Sequence, residues 1–103
     1  MPKRFTKIAD VSDIIQGEVK IIFAHGQSFA ATKILDEFLI VENLCTHDGG
    51  PLGNGRLYGY VIECPRHGAQ FDLRTGLPVC VPATIPIRNY PVRIHGTDVE
   101  IEL

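Results

Sequence analysis

Two short segments of the sequence carry sulfur and imidazole donors at close spacing. Cys45 and His47 are separated by one residue, and Cys64 and His67 are separated by Pro65 and one further residue. Side chains two apart in an extended segment leave on the same side, so Cys45 and His47 can face one object. The second spacing suits a tight turn. Together the segments can offer two thiolates and two ring nitrogens to one metal centre.

Two kinds of metal centre use such a donor set. Structural zinc takes Cys₂His₂, but zinc motifs usually leave about two to four residues between neighbouring ligands, whereas Cys45 and His47 leave one. A 2Fe–2S cluster in which two His replace two Cys on one iron takes the same donors and spans two metal atoms. The spacing favours the iron cluster, with a zinc-stabilised interaction module as the alternative. Chance proximity is disfavoured, because both pairs sit among Gly and Pro residues that shape tight loops.

The rest of the sequence predicts a β scaffold that would hold the two segments side by side. Runs of apolar and β-branched residues broken by Gly and polar turns predict strands, over residues 18–24, 28–35, 38–41, 57–63 and 69–73. Asn54-Gly55 predicts a tight turn with positive φ at both residues. After residue 90, apolar residues alternate around a turn at 96–98 and predict a final hairpin. We therefore expect an all-β fold.

The density of Gly and Pro divides the chain into two parts. We expect a single domain over residues 1–103, large enough to bury one core without disulfides. Its basal β scaffold is predicted from about 1–43 and 77–103. A loop-rich, cluster-binding subdomain of about 44–76 is predicted between them and carries both donor segments.

Composition excludes several classes of function. The net charge of −2 leaves no basic surplus for nucleic acid, and no apolar run approaches the ~20 residues of a membrane helix. The start lacks the apolar stretch of a secretory signal, so we expect a cytoplasmic protein.

Three cysteines cannot all pair, which fits a reducing compartment. Cys80 is predicted to be a buried, inert thiol, and His25 and His95 to be solvated turn residues.

Both donor segments, with their neighbours, resemble the C-x-H…C-x-x-H signature of Rieske proteins. The matching stretches are Cys45-Thr46-His47-Asp48-Gly49-Gly50 and Cys64-Pro65-Arg66-His67-Gly68-Ala69-Gln70-Phe71-Asp72. Thr75-Gly76-Leu77-Pro78 and Tyr90-Pro91-Val92 further resemble the ferredoxin components of bacterial ring-hydroxylating dioxygenase systems. The resemblance covers nearly the whole chain.

The resemblance implies a fold, a cofactor and a ligand set. The implied fold is a Rieske-like antiparallel β-sandwich with an inserted cluster-binding subdomain, and the implied cofactor is one Rieske-type 2Fe–2S cluster. By the resemblance, Cys45 and Cys64 bind the inner iron, while His47 and His67 bind the outer iron through Nδ1. Their Nε2 edges would then lie at the molecular tip, where an electron can leave.

The function implied by the resemblance is one-electron transfer rather than catalysis. A soluble, monomeric carrier of this kind takes electrons from a flavin-dependent NAD(P)H reductase and passes them to a terminal oxygenase. A Rieske oxygenase would need a second, mononuclear iron site with two His and a carboxylate, and only His25 and His95 are left for it. An accessory electron-transfer subunit of another oxidoreductase, such as nitrite reductase, is the alternative.

Departures from the respiratory Rieske pattern indicate a low reduction potential. Those proteins carry an extra Cys in each loop, joined as a disulfide, where this chain has Gly50 and Arg66. They also place Ser and Tyr hydroxyls near the cluster sulfurs, where this chain has Ala69 and Phe71. Hydrogen bonds to sulfur stabilise the reduced cluster, so their loss lowers the potential. We expect a value in the lower part of the roughly −150 to +300 mV Rieske span.

Overall fold

The computed structural model describes residues 4–103, which form antiparallel β-sheets and one short 3₁₀ turn. The strands are β1 (Phe5–Asp10), β2 (Lys20–Ala24), β3 (Gln27–Ile34), β4 (Glu37–Glu42), β5 (Arg56–Tyr58), β6 (Val61–Glu63), β7 (Gln70–Asp72), β8 (Pro78–Cys80), β9 (Val92–His95) and β10 (Asp98–Glu102). They are arranged in sheets of order β1-β10-β9, β2-β3-β4 and β5-β6-β7-β8. The predicted all-β, antiparallel fold is confirmed. No helix within these residues has the length and apolar character needed to cross a membrane.

The β2-β3-β4 sheet is the middle layer of the molecule. Along β3 and β4, alternate residues enter two different core clusters: Ala30 and Val41 join one, while Phe29 and Ile40 join the other. Since neighbouring side chains in a strand point to opposite faces, both faces of this sheet are buried. This explains why β4 reads as a nearly continuous apolar run rather than an alternating one. One face packs on the β1-β10-β9 sheet, and the other packs on the β5-β6-β7-β8 sheet. The second donor segment connects β6 to β7 in that sheet.

Tight turns join the strands of the middle sheet. His25 (φ 51°) and Gly26 (φ 73°) link β2 to β3, and Leu35 (φ 48°) and Asp36 (φ 66°) link β3 to β4. Positive φ at both central residues gives a turn whose twist matches that of the flanking strands. This local geometry fixes the register of β4 and therefore the place where the chain enters Cys45.

Two local predictions about the middle of the chain are wrong. Neither Asn54 nor Gly55 has positive φ. Instead, the Gly55 N–H donates to the Leu52 carbonyl at 2.8 Å, and a Cβ on Gly55 would collide with the Glu63 carbonyl. The glycine is thus explained by close approach of a neighbouring strand rather than by turn type.

The single strand predicted over 57–63 is a hairpin of β5 and β6. Gly59 interrupts it with a left-handed φ of 58°, and Arg56 then lies opposite Glu63. The hairpin turns the chain back, so β6 lies between β5 and β7 and leads directly into Cys64. A left-handed glycine inside an apolar run ends one strand and starts the next.

Candidate metal centre

Two loops with the same backbone geometry hold the predicted donors. We call residues 45–50 loop 1, which follows β4, and residues 64–69 loop 2, which follows β6. In each loop the Cys N–H donates to the carbonyl five residues ahead, at 2.7 Å for both Cys45 and Cys64. The Cys carbonyl in turn accepts from Gly49 at 2.7 Å or from Gly68 at 3.1 Å. Both glycines are left-handed, with φ of 77° and 76°, a conformation that other residues adopt only at a cost.

The four predicted donors are brought together, with sulfur inside and nitrogen outside. Cys45 and Cys64 are 0% and 1% exposed, whereas the rings of His47 and His67 are exposed. Those two rings meet edge to face, with centroids 5.3 Å apart and an interplanar angle of 84°. The arrangement gives a buried sulfur pair beneath a surface pair of imidazoles.

Burial favours the protonated form of the Cys45 thiol. Burial raises the pKa of the Cys45 thiol, and the neighbouring Cys64 thiol raises it further. A thiol must lose its proton to bind a metal, so metal binding at this site releases protons. Two buried, adjacent sulfur donors suit a soft metal.

A carboxylate lies among the donors. Asp48 Oδ2 is 3.1 Å from His67 Nδ1 and 3.7 Å from Cys64 Sγ, and ligand atoms of Asp48 and both cysteines lie within 4.8 Å of one another. Hydrogen bonds from Arg66 hold the pKa of Asp48 well below its usual range, so the carboxylate is ionised. Sequence analysis included Asp48 in the matched segment but did not predict its pairing with Arg66, because the two residues lie in different loops.

The Arg66 side chain crosses from loop 2 to the first loop. Its Nε donates to Asp48 Oδ2 at 2.7 Å, and its Nη2 donates to Asp48 Oδ1 at 3.1 Å and to the Pro51 carbonyl at 2.8 Å. A Cβ on Gly50 would come within 2.6 Å of the Arg66 guanidinium carbon. The two positions that the resemblance matched to the respiratory disulfide thus face each other across the loops.

A third segment flanks the exposed imidazoles. Residues 79–87 contain no charged side chain, and the Thr46 hydroxyl donates to the Ile85 carbonyl at 2.6 Å, which ties this segment to loop 1. Ala83 is buried in the same core cluster as the two cysteines. Val81 and Ile85 are 77% and 59% exposed. An uncharged, apolar shoulder therefore stands beside loop 1.

The remaining predicted residues lie outside the donor set. Cys80 is exposed, so the prediction of a buried thiol is wrong. It ends β8, an edge strand of its sheet, where Val79 is also 54% exposed. His25 and His95 are exposed at hairpin turns, as predicted.

The comparisons with known proteins agree with this geometry. The model of the Rieske [2Fe-2S] domain family matches residues 4–91. The chain belongs to the Rieske family. It is 36% identical over 103 residues to the ferredoxin component of the naphthalene 1,2-dioxygenase system of Pseudomonas putida, covering 100% of this chain and 99% of that one.

Solved structures of Rieske ferredoxins have the same fold. The Sphingomonas yanoikuyae B1 ferredoxin superposes with a TM-score of 0.90 at 33% identity, covering 97% of this chain and 99% of that one. A chain from the complex of reduced oxygenase and oxidized ferredoxin in carbazole 1,9a-dioxygenase gives a TM-score of 0.86 at 32% identity, covering 95% and 92%. The predictions of a Rieske ferredoxin with a 2Fe–2S cluster, and of an electron carrier rather than an enzyme, are confirmed.

The residues present fit the family's cluster. A Rieske cluster needs two thiolates on one iron and two imidazoles on the other. The buried cysteine pair and the exposed histidine pair divide in that way, and a left-handed glycine closes the turn of each loop. The donor set favours iron over the zinc alternative, because the pairs lie at different depths rather than around one small ion.

Proposed function

We propose that Cys45, Cys64, His47 and His67 bind the 2Fe–2S cluster, and that the chain passes electrons from a flavin-dependent NAD(P)H reductase to a terminal oxygenase. The observation that carries this proposal is the depth of the donors: buried sulfur beneath exposed imidazole. The bound cluster supplies one-electron redox chemistry. The chain's own residues exclude water from the sulfur side and present only the histidine side to a partner.

The surface around the imidazoles suits brief docking. Pro51 is exposed beside loop 1, and Val81 and Ile85 stand on the adjoining uncharged shoulder. A small apolar centre with few fixed ion pairs is typical of weak, short-lived redox complexes. A relative has been solved as ferredoxin in complex with its oxygenase, which supports an oxygenase as the recipient here.

Three further properties belong to the same proposal. We propose that the carrier acts as a monomer in the cytoplasm. We also propose that the chain divides as the sequence predicted, into a basal scaffold of about 1–43 and 77–103 and a cluster-binding part of about 44–76. Both donor loops lie within the second part, which supports the division.

Anaerobic purification followed by stepwise electron transfer tests the function. We expect iron and acid-labile sulfide in equal amounts, bleaching of the visible absorbance by NADH with a flavoprotein reductase, and recovery of the colour when oxygenase is added. A colourless protein containing zinc, or a reduced protein that no oxygenase reoxidises, contradicts the proposal.

A docking variant tests which surface is used. Val81→Glu places a charge on the shoulder, and Leu35→Glu is the matched control. Leu35 is 73% exposed at the opposite end of β4 from loop 1. We expect Val81→Glu to slow reoxidation by the oxygenase about tenfold while leaving the cluster content unchanged. Equal rates for the two variants would place docking elsewhere.

A further inference from the structure

The contacts between the two loops come from a small set of side chains. In the described part of the chain, no backbone–backbone hydrogen bond joins loop 1 to loop 2, and each loop closes its turn on itself. The three cysteines are free, so no disulfide joins the loops. The two loops also follow strands of different sheets, β4 and β6. Their relative position therefore depends on side chains.

Besides the ring contact of His47 with His67 and the shared burial of Cys45 and Cys64, the loops are joined by side-chain hydrogen bonds of two kinds. Asp48 meets His67 Nδ1 and Cys64 Sγ, which are atoms of the proposed ligand set and are needed by iron. The three hydrogen bonds of Arg66, to Asp48 and to the Pro51 carbonyl, use no atom of that set. Of these hydrogen bonds, those of Arg66 are compatible with a bound cluster without change.

The Arg66 contacts are of a strong type. The pair with Asp48 uses two donor nitrogens and both carboxylate oxygens, the arrangement in which guanidinium and carboxylate bind best. The side chains are 32% and 14% exposed, so water and salt screen them less than a surface pair. The third bond fixes the backbone just beyond loop 1, at Pro51.

We propose that Arg66 is a positioning residue that locks loop 1 to loop 2 and thereby keeps the four donors around the cluster. It does so by noncovalent contacts at the place where the respiratory pattern has a disulfide. The inference rests on the proposed ligand set. Without the lock, the loops separate more often, and iron becomes accessible to a competing chelator.

Chelator challenge of purified holoprotein under anaerobic conditions tests the lock. Every protein carries Cys80→Ser, which removes the exposed thiol. Arg66→Ala is compared with Arg74→Ala, which removes an equal charge and a similar ion pair, to Asp72, in the neighbouring strand region. We expect the visible absorbance to decay about tenfold faster in Arg66→Ala and at the parent rate in Arg74→Ala. Equal decay in the two variants overturns the proposal.

A covalent rescue separates a lock from general packing. Gly50→Cys/Arg66→Cys places a cysteine at each of these two positions, and mass spectrometry of the oxidised protein identifies the molecules in which they are joined. Oxidised with glutathione disulfide, it should lose its cluster at the parent rate. After reduction with a phosphine it should match Arg66→Ala, with unchanged electron paramagnetic resonance g values in the cluster that remains. If oxidised and reduced forms decay equally fast, Arg66 does not act by joining the loops.

Hydrogen exchange in the metal-free protein tests the lock without a cluster. We expect faster exchange of the Cys45 and Gly49 amides in Arg66→Ala than in Arg74→Ala, and no such difference overturns the lock. If the parent protein binds zinc and no iron, the proposed function fails while this comparison still decides the role of Arg66. The two failures are therefore distinguishable.

Discussion

Adding hydroxyl groups beside the cysteines should raise the reduction potential. Ala69 and Phe71 are both 0% exposed and belong to the same core cluster as Cys45 and Cys64. The Ala69 carbonyl also accepts the Cys64 N–H at 2.7 Å. A hydroxyl introduced by Ala69→Ser or Phe71→Tyr is therefore kept from water, and sulfur of a cluster held by Cys45 and Cys64 would be its acceptor. Since reduction makes the cluster more negative, the new hydrogen bond favours the reduced state.

The size of the shift follows from the strength of such a bond. A hydrogen bond to a charged group contributes about 1.5–3 kcal/mol, of which only the part gained on reduction moves the potential. If that part is about 1–2 kcal/mol, then at about 59 mV per tenfold change for one electron each substitution raises the midpoint by about 40–90 mV. The parent protein, which lacks both hydroxyls, should have a midpoint below zero at neutral pH.

Protein-film voltammetry at pH 7 measures these shifts against matched controls. Ala31→Ser and Phe29→Tyr make the same chemical changes at residues that are also 0% exposed, but in the core cluster on the other face of the middle sheet. We expect the controls to lower stability without moving the midpoint. If Ala69→Ser and Phe71→Tyr leave the midpoint unchanged, or the controls shift it as much, the reasoning from buried hydrogen bonds is refuted.

Three further predictions concern the scaffold and the exposed thiol. Gly76→Ala should lower the thermal midpoint by roughly 15 °C and Gly59→Ala by about 5 °C. Both residues are left-handed, but only a Cβ on Gly76 would collide with a backbone carbonyl; equal calorimetric shifts contradict this. Hydrogen bonding from Arg74 lowers the pKa of Asp72, so its stabilising effect is present above the ordinary carboxyl pKa and is lost as the pH falls through the lower folded pKa. Asp72→Asn should flatten the acid side of a urea-midpoint profile, and an unchanged profile counts against the pair. We expect maleimide to label the folded holoprotein at Cys80. Labelling that persists in Cys80→Ser would show that Cys45 or Cys64 is accessible to the reagent and would contradict this.

The donor residues could be predicted from the sequence because their chemistry and spacing are local properties. Two sulfur and two imidazole donors in short Gly- and Pro-rich segments restrict the metal, and the apolar run before Cys45 predicts the strand that delivers it. Strands β2, β3 and β4 were predicted because each is an apolar run bounded by turn residues, and the final hairpin because its apolar residues alternate, whereas β1 and β8 were not predicted. The division of the donors by depth was expected from the resemblance alone, because the burial of the two cysteines depends on how separate sheets pack.

The parts that sequence analysis missed depend on contacts between distant segments. Asp48 and Arg66 are eighteen residues apart, and nothing local indicates that they pair. Gly55 resembles a turn glycine, but it is required by the approach of Glu63 from the next strand. Cys80 is apolar in character and flanked by Val, yet it lies on an edge strand with a free side. The order of strands in the sheet, and not the residues of a short strand, decides which of its faces is covered.

Electron nuclear double resonance on the dithionite-reduced protein tests the ligand assignment most directly. If Cys45, Cys64, His47 and His67 hold the cluster, the spectrum should show couplings from two imidazole nitrogens on one iron, and substitution of either histidine should remove one of them. A reduced cluster with no coupled nitrogen, or one whose nitrogen couplings survive replacement of His47 or His67, would contradict the account.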